Sequence, residues 1–407
     1  MLFDLLPDTL SGVVRDSNQV VVETPMAPRQ QRVLFLDGLR GVAAVIVVLN
    51  HAFLGYADPE HRVLGLFWSG PFSFLTEGDA AVLLFFVLSG IALSWGPMGG
   101  ADCFRSAGSI AVWFLARVVR IYLPYLAALA LTCVAHERFR DPGATVPPRT
   151  PWFGLHGEVA VDHQNVLHDL NLFSDYPRLL GQGWSLTEEL RFSFLLPLML
   201  PLAVRTTGGF LVTLFCAALC GAMTQFVLFF GVGVLVTKHW NSIPGVLRHV
   251  SGWRSWVVLV FAVGLFSIRR WLPWYFPDAS HELKRVCRPE YLVAVGVLLI
   301  LVLPIVSSGL RRFLESGMVR YLGQVSFSIY LIHMVVLLYV SPWVVVRLNA
   351  MGLAEPAPVT VAITLFVVLA SCATASVFNR LVEAPCTNAA RWLLRWFEKR
   401  SAVPQPK

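Results

Sequence analysis

Long apolar runs, broken by short polar stretches, make up almost the whole chain, and the runs have the length a bilayer core demands. They fall at 33–54, 79–95, 110–135 and 184–203, then as two short helices within 208–238 breaking near 221–225. Further runs follow at 253–268, 291–308, 319–340 and 359–381. The pattern predicts an all-α integral membrane protein, a polytopic bundle of about ten transmembrane helices. A mixed, weakly ordered N-terminal tail is expected at 1–32, the membrane domain at 33–385 and a basic amphipathic tail at 386–407, with both tails cytoplasmic. The longest polar interruption, 136–183, holds His136, His156, His163 and His168, whose spacing fits a solvated loop better than a metal site.

Composition agrees with the pattern. Of 407 residues 56% are hydrophobic and 14% charged, with a mean hydropathy of +0.65; a soluble domain carries about a quarter charged residues. A net charge of +7 could mark a nucleic-acid binder. The basic residues instead sit in short loops between runs, as the positive-inside rule expects, so no nucleic-acid partner is expected. An even number of spans with that charge bias puts both termini in the cytoplasm, in the endoplasmic reticulum or another endomembrane. The seven cysteines show neither a disulfide framework nor a zinc spacing, and no metal is expected. Residues 1–32 lack a basic stretch followed by an apolar one, so the first span is expected to act as the membrane signal.

The first run, FLDGLRGVAAVIVVLNHAF at 35–53, is apolar enough to span yet carries Asp37, Arg40 and His51. Ionisable groups inside a span are costly and usually functional. Arg40 and His51 are eleven residues apart, about three turns, which puts them on one face roughly 16 Å apart. Asp37, three before Arg40, is spaced to pair with it. His51 reads as a general base or as an interfacial helix cap. In the third run, Arg117 and Arg120 form RVVR on one face, able to clamp a phosphate or to snorkel to the interface. The fourth run opens on Trp184, and there Glu188 and Arg191 are spaced to pair, leaving Glu189 without a local partner. Glu189 fits orientation of a histidine or a helix-start carboxylate. His333 lies inside the ninth run and Glu383 ends the tenth. No G-x-S-x-G elbow and no H-E-x-x-H occurs.

Taken together, these segments resemble the acyltransferase 3 family of integral membrane acyltransferases. Arg40 and His51 match its first-helix signature of arginine, ten residues, histidine. LLFFVLSG at 83–90 is similar to its second-helix motif, and Arg117 and Arg120 to its R-x-x-R motif. GWSLTEELRFSFLLP resembles its tryptophan–glutamate motif, with Glu189 on the glutamate and Arg191 and Ser193 closer to fungal members. FFGVGVLVTK, SFSIYLIH and the final VEAP follow in family order.

The resemblance implies an acyl-CoA donor, acetyl-CoA above all, as a co-substrate rather than a bound cofactor. It implies a hydroxyl acceptor, essential His51 and Arg40, and Arg117 and Arg120 toward the donor. The expected chemistry has His51 take the acceptor proton, with Glu189 orienting it and Trp184, Asp37, His333 and Glu383 in support. A small natural product in a fungal secondary-metabolite pathway is the expected acceptor, and a glycan or lipid across the membrane the alternative. From another class, a proton-coupled transporter would use the charged stripe, but it leaves RVVR and the tryptophan–glutamate opening unexplained and calls for repeats that are not found.

Overall fold

Every regular element among the described residues is helical. The computed structural model describes residues 33–58, 60–99, 104, 106–139, 150–157, 159–173, 176–219, 225–280, 289–352 and 356–401. The 1–32 tail and most of the predicted break near 221–225 lie outside the described residues.

The first run forms α1, Leu34–Tyr56, and sits at the centre. Around it pack α2 (Gly78–Met98), α12 (Gly317–Gln324), α13 (Ser326–Val335) and α15 (Pro356–Phe378). The 33-residue α3, Ala107–Phe139, stands behind. Against it lie α6 (Gly183–Arg205) and α16 (Ala384–Ser401). The part of the basic, amphipathic C-terminal stretch that lies in α16 is a helix packed on α3. Helices α7 (Thr207–Leu219) and α8 (Gln225–Lys238) form a short hairpin, and α9 (Trp253–Phe266) and α10 (Ile268–Tyr275) meet at 75° beside α11 (Pro289–Val306).

Six helices are long and apolar enough to cross a membrane, or eight if each of two bent pairs is one span. Ten spans of crossing length are not present among the described residues. Helix α6 is 23 residues long but carries Glu188, Glu189, Arg191 and Arg205, and α7 has only 13 residues. The ninth span also starts later than 319. A break at Val325 separates α12 from the span Ser326–Ala350, because α12 packs across α1. Gly323 permits this: a β-carbon there would land on the Asp37 carbonyl oxygen.

Small residues let backbones approach where lipid supplies no hydrophobic drive between helices. The glycine of LLFFVLSG and the second glycine of FFGVGVLVTK serve that end. A β-carbon on Gly90 would meet the Phe230 carbonyl, and one on Gly233 the Val87 carbonyl, so α2 and α8 touch through backbone. Two wide i→i+5 turns interrupt regular helix. Val336–Val340 joins α13 to α14 (Ser341–Ala350), and Asn379–Glu383 joins α15 to α16.

The described parts of the 136–183 segment are folded against the bundle, not solvated throughout. His136 belongs to α3 and is buried. Helix α4, Pro151–Gly157, tucks under the end of α1, where Thr150 donates its hydroxyl to Leu54 and its backbone N–H to Gly55 at 3.2 Å. At the end of α5, His163–Leu170, the buried Asp169 carboxylate accepts the N–H groups of Arg178 (2.8 Å), Leu179 (2.8 Å) and Leu180 (3.1 Å). Three backbone donors on one carboxylate fix the 178–180 strip and carry Gly181 and Gln182 to the mouth of α6.

Candidate active site

Two cavities line one side of α1. The outer one, about 200 Å³, lies near its C-terminal end and is lined by His51, Asn50, Trp152, His156, Tyr176 and Trp184, among others. The inner one, about 50 Å³, is lined by Arg40, Ser89, Ser185, Glu189 and Phe327 among others. Val82 and Tyr330 line both and form the partition. The Tyr330 hydroxyl is 2.6 Å from Ser185 Oγ and donates to the Gln182 carbonyl at 3.1 Å, which holds the ring in place.

His51 and His333 meet although 282 residues separate them: His333 Nε2 is 3.2 Å from His51 Nδ1. The protons can be placed by elimination. His333 Nδ1 faces the carbonyl oxygens of Tyr330 (2.8 Å) and Ile329 (3.2 Å), which only accept, so it carries hydrogen. In a neutral ring its Nε2 is then an acceptor. His51 Nδ1, 3.0 Å from the Val47 carbonyl, is the donor to both Val47 and His333. A neutral His51 therefore keeps its lone pair on Nε2, which has no hydrogen-bond partner among the described residues.

Trp152 packs its ring 5.5 Å from that of His51 and stacks on His156 at 4.4 Å. His156 Nδ1 is bonded to the Trp152 carbonyl at 2.9 Å. Trp184 stacks on Tyr176 and contacts Phe226. The outer chamber is thus walled by aromatic rings with polar edges. The sequence reading missed Trp152 and Asn50. Asn50 had a visible signal, being a polar residue beside His51 in an apolar run.

Glu189 does not orient His51. Its Oε1 accepts from Arg117 Nη2 at 2.8 Å and from Ser89 Oγ at 3.1 Å, while His51 is held by Val47 and His333. Arg117, 2% exposed, also donates to Ser193 at 3.3 Å. Snorkelling is excluded for both arginines of RVVR, since Arg117 and Arg120 are buried inside the bundle. Arg40 and Arg120 have no hydrogen bond or ion pair among the described residues. In particular Asp37 and Arg40, three apart, do not pair with each other. Glu188 and Arg191 do, at 2.5 Å. Glu383 accepts from Ser328 (2.5 Å) and Asn379 (2.8 Å), tying the second wide turn to α13, away from both cavities.

A third cluster, unforeseen, roofs the outer chamber. Arg270 on α10 donates to Glu77 Oε2 (2.9 Å), to Asn50 Oδ1 (2.6 Å) and to the Thr76 carbonyl (3.1 Å), and its guanidinium lies 4.5 Å over the Trp68 ring. Burial pushes the Glu77 carboxyl above its usual range, and Arg270 and Arg269 pull it back. Arg269 draws Asp79 outward at 3.0 Å.

Comparison with known proteins bears on this arrangement. Residues 33–376 match the acyltransferase 3 family model, described as an acyltransferase domain. The chain is 26% identical over 339 residues to the acyltransferase MdmB of Streptomyces mycarofaciens, covering 77% of this chain and 81% of the relative. No solved structure matches.

Proposed function

The chain belongs to the acyltransferase 3 family and is a multi-pass membrane acyltransferase, and from that premise we propose that it moves an acyl group, acetyl first among candidates, from acyl-CoA to a hydroxyl of a small natural product. One observation carries the reading: the Nε2 lone pair of His51, fixed by Val47 and His333, borders a chamber of aromatic walls. His51 Nε2 takes the acceptor's hydroxyl proton as the oxygen attacks the thioester carbon. The C–S bond breaks, and the proton passes from the imidazolium to the CoA thiolate. His333 is the positioning residue that sets the tautomer.

The acceptor occupies the outer chamber, where Trp152 and Trp184 offer flat apolar faces and Gln182 and His156 polar edges. The donor approaches from the Arg40 side. Arg40 and Arg120, buried and without a hydrogen bond or ion pair among the described residues, with the Glu189 and Glu383 carboxylates only within electrostatic reach, suit an anionic group, because a buried charge not fully paired is costly until a ligand neutralises it. The inner cavity, at about 50 Å³, has room for a small acyl group and not for a nucleotide. The basic loops favour a cytoplasmic entry for the donor, with both termini on that side. Arg191 and Ser193, which carry the fungal resemblance, both serve the fold here through Glu188 and Arg117. The proposal is therefore drawn at the level of acceptor chemistry rather than pathway.

The test is label transfer. Membranes bearing wild type or His51→Ala receive labelled acetyl-CoA and an extract of hydroxylated metabolites. Label on a product with wild type alone supports the proposal and names the acceptor. A folded, inserted His51→Ala protein with wild-type turnover overturns the base assignment. For the donor side, Arg120→Ala is expected to raise KM for acyl-CoA, and an unchanged KM removes the anion role.

A further inference from the structure

Acyl transfer needs more than a base. As the acceptor oxygen adds to the thioester, the carbonyl π electrons move onto its oxygen, and that charge needs a fixed donor. His51 and His333 offer none: their N–H groups are spent on carbonyls and on each other. Asn50 does. It is 5% exposed, lines the outer cavity beside His51, and is held by a charged donor. Arg270 Nη2 reaches its Oδ1 at 2.6 Å, and a guanidinium only donates, so this contact fixes which end of the amide is oxygen. The Nδ2 end is left without a partner among the described residues. It lies over Gly78, another wall of the same cavity, where a β-carbon would sit 2.6 Å from Nδ2. The start of α2 lies there as well, so the positive end of a 21-residue helix faces the same place. Asp79, which lines the same cavity and whose carboxylate would repel an anion, is paired with Arg269 at 3.0 Å.

We propose that Asn50 is a catalytic residue whose Nδ2–H group binds the thioester carbonyl oxygen and the oxyanion it becomes, that Gly78 leaves the room the Asn50 side chain needs to lie against the start of α2, and that Arg270 is the positioning residue that aims the amide. The inference rests on acyl transfer from a thioester as proposed above. In the step, the acceptor O–C bond forms, the carbonyl pair shifts to the oxygen held by Asn50, and collapse expels the thiolate, which takes the proton from His51.

Asn50→Asp is the variant of choice. It keeps shape and the Arg270 contact and replaces the donor by an acceptor. With labelled acetyl-CoA and the acceptor found for wild type, kcat is expected to fall about 10²–10³-fold, with both KM values nearly unchanged. Gly78→Ala, whose β-carbon would meet Asn50 Nδ2 at 2.6 Å and turn the amide aside, is expected to lower kcat too, and it serves if Asn50→Asp fails to insert. Arg270→Gln is expected to cost about tenfold in kcat in wild type, one hydrogen bond's worth, and little more in the Asn50→Asp background. A merely structural Arg270 would give additive losses. Wild-type kcat in Asn50→Asp or Gly78→Ala overturns the role of Asn50 and leaves acyl transfer standing. A raised acceptor KM with unchanged kcat overturns it as well, since Asn50 would then bind only the ground state. A wild type that transfers no acyl group from acetyl-CoA or longer acyl-CoAs overturns both readings.

Discussion

The two chambers differ in what they are made of. The inner one gathers formal charge, with Arg40 and Glu189 on its wall and Arg117 bound behind Glu189. The outer one holds imidazoles and aromatic rings, and the carboxylates at it, Asp79 on its wall and Glu77 beside Asn50, are paired with Arg269 and Arg270. Charge in a bilayer is held where it can be paired or where a ligand will pair it. A base that must accept a proton from an alcohol gains from the opposite surroundings. The division lets one helix present a binding end and a reacting end, with Tyr330 between them.

The largest way to break this division is to remove the base. His51→Ala is expected to lower acyl transfer about 10²–10⁴-fold while leaving the bundle inserted, as read by product label and by the yield of solubilised protein. Next comes Glu189→Gln, which leaves Arg117 buried opposite a neutral amide. Breaking a buried pair typically costs about 3–5 kcal/mol, so the expected outcome is a sharp loss of thermal stability, not a change in the pH profile of a folded enzyme. If Glu189→Gln instead stays as stable as wild type, the inner chamber does not depend on that pair. A smaller effect is expected of His333→Phe, about tenfold in kcat, because one hydrogen bond sets the His51 tautomer. Smallest is Trp152→Ala. One aromatic contact is worth about 0.5–1.5 kcal/mol, so the acceptor KM should rise several-fold with kcat nearly kept, in steady-state assays. A fall in kcat alone would move Trp152 from the acceptor to the positioning of His51.

Local pattern made the helices legible. The first two spans, read as 33–54 and 79–95, form Leu34–Tyr56 and Gly78–Met98. The start of the ninth was not legible, because 319–324 is helical and runs on toward the apolar span, and only its crossing of α1 turns it aside. The pairing of Glu188 with Arg191 could be read, since both lie on one helix face. The partners of Glu189 and His51 could not, because Arg117 is 72 residues from the first and His333 282 from the second. Residue spacing reports neighbours along a helix. It does not report which helix stands opposite. Trp152 was hidden for the same reason, its short helix lying about a hundred residues from the α1 residues it meets through Thr150, Trp152 and Phe153.

The wide turn at Val336–Val340 follows directly on the helix that carries His333. Such a turn holds one more residue than a regular one. Deleting a single residue there would restore ordinary winding and rotate everything beyond it by about 100°, swinging Ser341 off the Tyr56 hydroxyl it meets at 2.6 Å. His333 would keep its own carbonyl contacts, yet α14 would present a different face to the end of α1. The chain length of this one turn therefore sets the angular phase between the histidine pair and the contact of α14 with the end of α1, so an insertion or deletion, rather than a substitution, is the change to which this part of the bundle is most sensitive.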